Sequence, residues 1–155
     1  MVPEEIAQPE VLWVEDDRVD FELLSSHAQS HGMRITHAWG VADAARKLAE
    51  HEGLFHATVL DSKLPNGEGI DLLRQLMAQD PDTAIVVLSG HSDDEQLANF
   101  LRHGAYSAHY KGDVAPRAIT VIIRNAVRSS ERKRQRRAIV SDLLRVVEQY
   151  EAHIR

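Results

Sequence analysis

The chain is expected to fold as an α/β domain, a doubly wound five-stranded parallel sheet with helices on both faces. Two observations predict this. Five short apolar runs alternate with longer stretches of helical spacing across residues 11–130. The fourth run, AIVVLS, is almost wholly apolar, as a strand covered on both faces must be. Crossovers in such a sheet are right-handed, and ligands collect at the carboxyl ends of its strands.

The elements follow in order. VLWV (11–14) is the first strand. Residues 19–31 have helical spacing through Val19, Leu23 and Leu24, and Gly32 closes that helix. MRITHA (33–38) is a second strand, and VADAARKLAEHE (41–52) an alanine-rich helix ending at Gly53. ATVLD (57–61) is the third strand, and GIDLLRQLMAQ (69–79) a helix stopped before Pro81. After the strand at 84–89, DDEQLANFLRH (93–103) has acids in its first turn, which suit the helix dipole. AYSAHY (105–110) is a weaker fifth strand, and Pro116 opens a last helix.

Composition narrows the function. There is no cysteine, which excludes disulfides and thiolate chemistry. No apolar run approaches the roughly 20 residues that span a bilayer. The acidic N-terminus MVPEEIAQPE lacks a secretory pattern, so a cytoplasmic protein without membrane contact is expected. Residues 1–111 carry 8 Lys/Arg against 19 Asp/Glu, and residues 112–155 carry 10 against 5. An acidic body with a basic tail suggests two functional zones, and the body would repel nucleic-acid phosphates.

The strand ends carry the chemistry. The first strand ends in Glu15-Asp16-Asp17, the third in Asp61, the fourth in Ser89-Gly90 and the fifth in Lys111-Gly112. With the strands ordered 2-1-3-4-5, these endings are spatial neighbours. Carboxylates gathered at one edge repel, so one keeps a proton or a cation joins them. A hard divalent ion, Mg²⁺ by preference, fits oxygen ligands and leaves room for phosphate oxygens. A lysine and a hydroxyl opposite would hold that anion, and a carboxylate nucleophile would form an acyl phosphate. Each ending alone has a plainer role: Asp16 or Asp17 as a helix cap, Ser89 as a turn residue, Lys111 as a surface lysine. Together and in order they point to a phosphoryl site.

These endings lie in VLWVEDD (11–17), VLDSKLPNGEG (59–69), IVVLSGH (85–91) and GAYSAHYKGD (104–113). The chain therefore resembles the receiver domain of two-component response regulators, with its flavodoxin-like fold, over residues 9–130. The spacing from Asp61 through Pro65 to Gly69 is characteristic. The resemblance implies that Asp61 is the phosphoacceptor, receiving a phosphoryl group from a sensor histidine kinase or phosphotransfer protein. It implies that Mg²⁺ is held by Asp16 directly, by Glu15 through water, by Asp61 and by the backbone carbonyl of Lys63. Ser89 and Lys111 would bind the phosphoryl group, while Lys63 and His91 would set its lifetime. Asp17 is read as a helix-initiating acid. Two positions depart from the pattern. Ala108 stands where an inward-turning aromatic is expected, with Tyr106 and Tyr110 on the same strand face. Gly112 replaces a common proline, which is expected to loosen the loop.

Residues 131–155 form a C-terminal helical extension, SSERKRQRRAIVSDLLRVVEQYEAHIR including its approach. Five of the six residues Arg132–Arg137 are basic. Ile139, Leu143, Val146, Tyr150 and Ile154 then recur at helical spacing, widened by Val140, Leu144 and Val147. A coiled-coil homodimer is the leading expectation, packing back onto its own receiver the alternative, and a linker to an output domain a third. The basic run raises nucleic-acid contact as a minor reading, disfavoured because no helix-turn-helix has room.

The whole points to a phosphoacceptor signalling receiver, not a turnover enzyme beyond its own phosphotransfer and dephosphorylation. The competing readings are a degenerate receiver serving as a dimerisation module, a Mg²⁺-dependent aspartyl phosphohydrolase and a mononucleotide binder. The phosphohydrolase would carry D-x-D on the first strand and a cap insertion, both lacking here. The mononucleotide binder would need uncharged donors where Glu15-Asp16-Asp17 stand.

Overall fold

The structure, a computed structural model, describes residues 6, 8–64, 67–91 and 93–154. Its elements are β1 (Glu10–Val14), α1 (Arg18–Ser30), β2 (Arg34–Ala38), α2 (Val41–Glu50), β3 (Ala57–Asp61), α3 (Gly69–Gln79), β4 (Ile85–Ser89), α4 (Asp94–Arg102), β5 (Ser107–Tyr110) and α5 (Pro116–Ile154). A two-residue antiparallel pair, Lys63–Leu64 with Gly67–Glu68, lies between β3 and α3, and a 3-10 turn, Lys111–Asp113, follows β5. The five main strands are all parallel, in the order β2-β1-β3-β4-β5. This is the expected doubly wound sheet. Pro65 lies outside the described residues.

Element ends shift by one or two residues, for local reasons. β1 begins at Glu10, which pairs with Arg34 of β2. β5 begins at Ser107 because Ala105 finishes the preceding helix, its N–H reaching Phe100 O at 3.1 Å. α1 starts at Arg18 because Asp17 caps it, accepting from the Asp20 N–H at 3.0 Å.

The sheet alternates its side chains between two cores. Val11, Trp13, Val59, Val86 and Leu88 face α1 and α5, packing with Leu24, Ala28, Ile119, Ile123 and Val127. Leu12, Val14, Leu60, Ile85 and Val87 face the other way, with Leu72, Leu73, Leu76 and Phe100. A strand buried on both faces carries no charged side chain until it ends, so the charged groups are driven to the strand termini.

α5 runs unbroken for 39 residues. Ile119, Thr120, Ile123, Ala126, Val127 and Ser130 are buried. Beyond them the helix leaves the sheet, held by three residues that contact the loop between α3 and β4. Ser130 Oγ donates to Asp82 O at 2.8 Å. Arg134 grips Asp80 with two bonds of 2.9 and 2.6 Å, and Arg137 grips Asp82 with two of 2.8 and 3.0 Å. Two of the five basic residues are thus committed to the chain's own carboxylates. From Ala138 on, every described residue is exposed. Packing of the apolar stripe onto its own receiver is therefore not what forms. The helix has run past the domain there: residues on every side of it are exposed, including Leu144, which lies about two turns after Arg137 on the side of the clamp.

Candidate functional site

The carboxyl ends of β1, β3, β4 and β5 meet at one edge of the sheet. Glu15 follows β1 and is 2% exposed, while Asp61 ends β3 at 8%. Asp16 is exposed beside them. Ligand oxygens of Glu15, Asp16 and Asp61 all lie within 4.8 Å of one another, the one such group of three among the described residues. Opposite stands Lys111, just past β5. Its Nζ donates to Glu15 Oε1 at 2.7 Å and to Asp20 Oδ2 at 3.0 Å, and lies 3.7 Å from Asp61 Oδ2.

One ammonium cannot balance this many carboxylates. Burial first, then the hydrogen bond and charge of Asp61, push the Glu15 carboxyl up to about 9 against the pull of Lys111. Asp16 is also raised, by partial burial and by the Asp61 charge. Burial pulls Lys111 down, yet its hydrogen bond to Glu15 and the charges of Asp61 and Glu15 outweigh that and hold its ammonium above the ordinary lysine value. The two directions have one cause: excess negative charge, shared among coupled groups. The Glu15 carboxyl therefore holds its proton near neutrality while Lys111 stays charged. The oxygen-only donor set suits a hard dication.

The backbone is shaped to bring these groups together. A Cβ on Gly69 would fall 2.8 Å from both Asp61 O and Ser62 O, so only glycine lets α3 start this close behind β3. The Lys63 N–H donates to Asp61 Oδ1 at 3.2 Å, fixing the carboxylate's orientation, while the Lys63 side chain is exposed. Ser89 is fully buried. Its hydroxyl donates to His91 O at 3.0 Å and accepts from His91 N at 3.2 Å, and the His91 ring is exposed. All seven residues proposed from the sequence therefore fall at one edge, Lys63 and His91 at its rim.

Two features were not foreseen. Asp20 was read only as part of a helix, yet it binds Lys111. Its signal was available, since Asp17 and Asp20 both fall on the first turn of a helix leaving the site edge. The second is at Gly112, where a 3-10 turn forms with the Tyr110 ring laid over it. A Cβ on Gly112 would meet Tyr110 Cε1 at 2.5 Å. Ala108 packs part-buried against the α3–α4 core, and the Tyr110 ring goes to Gly112.

Comparison with known proteins agrees with this arrangement. A family model described as the response regulator receiver domain matches residues 11–123. The C4-dicarboxylate transport transcriptional regulatory protein DctD of Rhizobium meliloti is 27% identical over 129 residues, 83% of this chain and 26% of that protein. The transcriptional regulatory protein FixJ of Bradyrhizobium diazoefficiens is 28% identical over 131 residues, 84% of this chain and 62% of that protein. The chain thus spans between about a quarter and three fifths of the length of these two relatives. Among solved structures, a CheY-like receiver domain protein from Methanospirillum hungatei superposes with a TM-score of 0.73 at 22% identity, covering 81% of this chain and 98% of that one. NtrX from Brucella abortus gives 0.76 at 24%, covering 88% and 29%.

Proposed function

The chain belongs to the response regulator receiver domain family, and from that premise we propose that it is a phosphoacceptor switch with Asp61 as the residue modified. A carboxylate oxygen of Asp61 attacks the phosphorus of a phosphohistidine on a partner kinase or phosphotransfer protein. The phosphorus–nitrogen bond breaks, imidazole leaves, and an acyl phosphate remains. Lys111 holds the transferred group by a charge-assisted hydrogen bond. Ser89 leaves the His91 backbone and donates to the same group. The observation that carries this reading is the carboxylate group facing a single ammonium at the strand ends. Glu15, Asp16, Asp61 and the Lys63 carbonyl are the ligands for Mg²⁺, which when bound neutralises the excess negative charge.

Lys63 and His91 flank the path of an attacking water and set how long the acyl phosphate lasts. An unchanged phosphoryl half-life in both Lys63→Ala and His91→Ala would remove them from that role. The tail carries the output. Its apolar stripe, from Ile139 (59% exposed) to Ile154 (66%), lies beyond the domain and is covered by a second copy as a helical homodimer. Five-strand receivers answering without an aromatic at the position of Ala108 need another route out of the site, and the helix that continues from the core into the stripe offers one.

The deciding experiment treats the protein with acetyl phosphate or beryllofluoride, with and without Mg²⁺, beside Asp61→Asn. A Mg²⁺-dependent adduct on Asp61, absent from the variant, is expected. An adduct elsewhere, or none, overturns the reading. Sedimentation of Leu143→Glu/Val146→Glu against the unaltered chain tests the dimer, which this pair of charges should abolish.

A further inference from the structure

The acidic partners of Lys111 do not stand alike. Glu15 is buried and belongs to the cation-binding group. Asp61 is the proposed phosphoacceptor. Asp20 belongs to neither, and it comes from a different element, the first turn of α1. Its side chain is 43% exposed, against 2% for Glu15 and 9% for Asp61. It therefore draws the ammonium toward the rim.

The distances show the consequence. An ammonium has three N–H donors. Glu15 at 2.7 Å and Asp20 at 3.0 Å take two of them at full hydrogen-bond length, while Asp61 at 3.7 Å lies beyond it. Charge-assisted N–H···O bonds close to about 2.7–2.9 Å. A phosphoryl oxygen on Asp61 would compete with Glu15 and Asp20 for that same ammonium. A cation at Glu15 and Asp16 weakens the hold of Glu15, because it competes for the same carboxylate oxygens. Asp20, outside the group of three, keeps its full attraction.

We infer that Asp20 is a positioning residue that holds Lys111 in its resting place and opposes capture of the phosphoryl group. This rests on the phosphoacceptor reading above and adds a regulatory residue to it. Neutralising Asp20 should therefore ease the capture of a phosphoryl group by Lys111, where neutralising a residue that merely supports the fold would not.

The test compares the unaltered chain with Asp20→Asn and Asp20→Glu, with two readouts. The first needs no phosphoryl group: the rate at which formaldehyde and borohydride dimethylate Lys111, followed by peptide mass spectrometry. Asp20→Asn should raise it severalfold, and Asp20→Glu should return it toward the starting rate. The second is beryllofluoride affinity with saturating Mg²⁺, which Asp20→Asn should tighten on the order of fivefold, a modest gain because the Asp20 side chain is partly solvated. An unchanged methylation rate overturns the inference, since Asp20 then does not hold the ammonium. A raised rate with unchanged or weakened beryllofluoride affinity overturns it too, since the hold then does not oppose capture. Absence of any adduct in the unaltered chain overturns the phosphoacceptor reading itself, and this inference with it.

Discussion

Two charged clusters sit at opposite ends of the same sheet, and they are built differently. At the carboxyl ends of the strands, Glu15, Asp16, Asp20 and Asp61 gather around one lysine. At the amino end of β4, Asp80 and Asp82 each meet one arginine of α5 through two parallel bonds. The carboxyls respond in opposite senses. Glu15 is pushed up to about 9, foremost by burial. Asp82 is held below its usual range, foremost by its hydrogen bond to Arg137. Charge matched one to one fastens the helix in place. Unmatched negative charge leaves a site with an appetite for a cation.

The largest effect expected from this contrast is on cation binding. Mg²⁺ added to chelator-treated protein should raise the unfolding midpoint through the strand-end cluster. Glu15→Gln should weaken that Mg²⁺ affinity tenfold or more, as followed by thermal unfolding across a Mg²⁺ titration. Arg134→Ala should leave it unchanged. If both variants bind Mg²⁺ like the parent, the contrast between the clusters fails.

Next come the opposite stabilities of the two ends. Without divalent cation, Glu15→Gln removes the cost of burying a carboxyl that has to keep its proton near neutrality and should stabilise the fold by about 1 kcal/mol. Arg134→Ala leaves Asp80 without its partner and should destabilise it by a similar amount, about 1 kcal/mol. Urea unfolding of both variants measures the two signs directly.

A smaller effect should appear in pH dependence. A carboxyl raised in the folded state binds its proton more tightly there, so its contribution to stability is full below its usual value of 4.5 and lost as pH rises toward about 9. A carboxyl lowered in the folded state does the reverse. The contribution of Asp82 is full above its usual value of 3.8 and is lost as pH falls through its lower folded value. Between pH 5 and 9 in chelator, the parent should therefore lose stability in a way that Glu15→Gln abolishes. Asp82→Asn should lower stability by a constant amount above pH 3.8 and remove the Asp82 part of the loss on acidification.

Much of the site was legible because a strand buried on both faces can hold charged side chains only at its ends. Glu15, Asp16, Asp61, Ser89 and Lys111 each follow an apolar run, and strand order makes them neighbours. Asp20 was missed because α1 was read for its apolar spacing, while the face of its first turn that meets Lys111 depends on how that helix lies against the sheet. The arginine clamp was missed because Arg134 and Asp80 are 54 residues apart. Nothing local marks two of the five basic residues as already paired.

The sequence by itself determined the alternation of strands and helices, the identity of the strand-end residues and the apolar stripe of the tail. These depend on periodicity and on local punctuation, which any stretch of chain carries within itself. Tertiary structure decided which carboxylates share Lys111, that Tyr110 covers Gly112, and that the tail runs past its own domain. The first and the last depend on how α1 and α5 lie against the sheet, which is set only when Ile119, Ile123 and Val127 are buried and Arg134 has found Asp80.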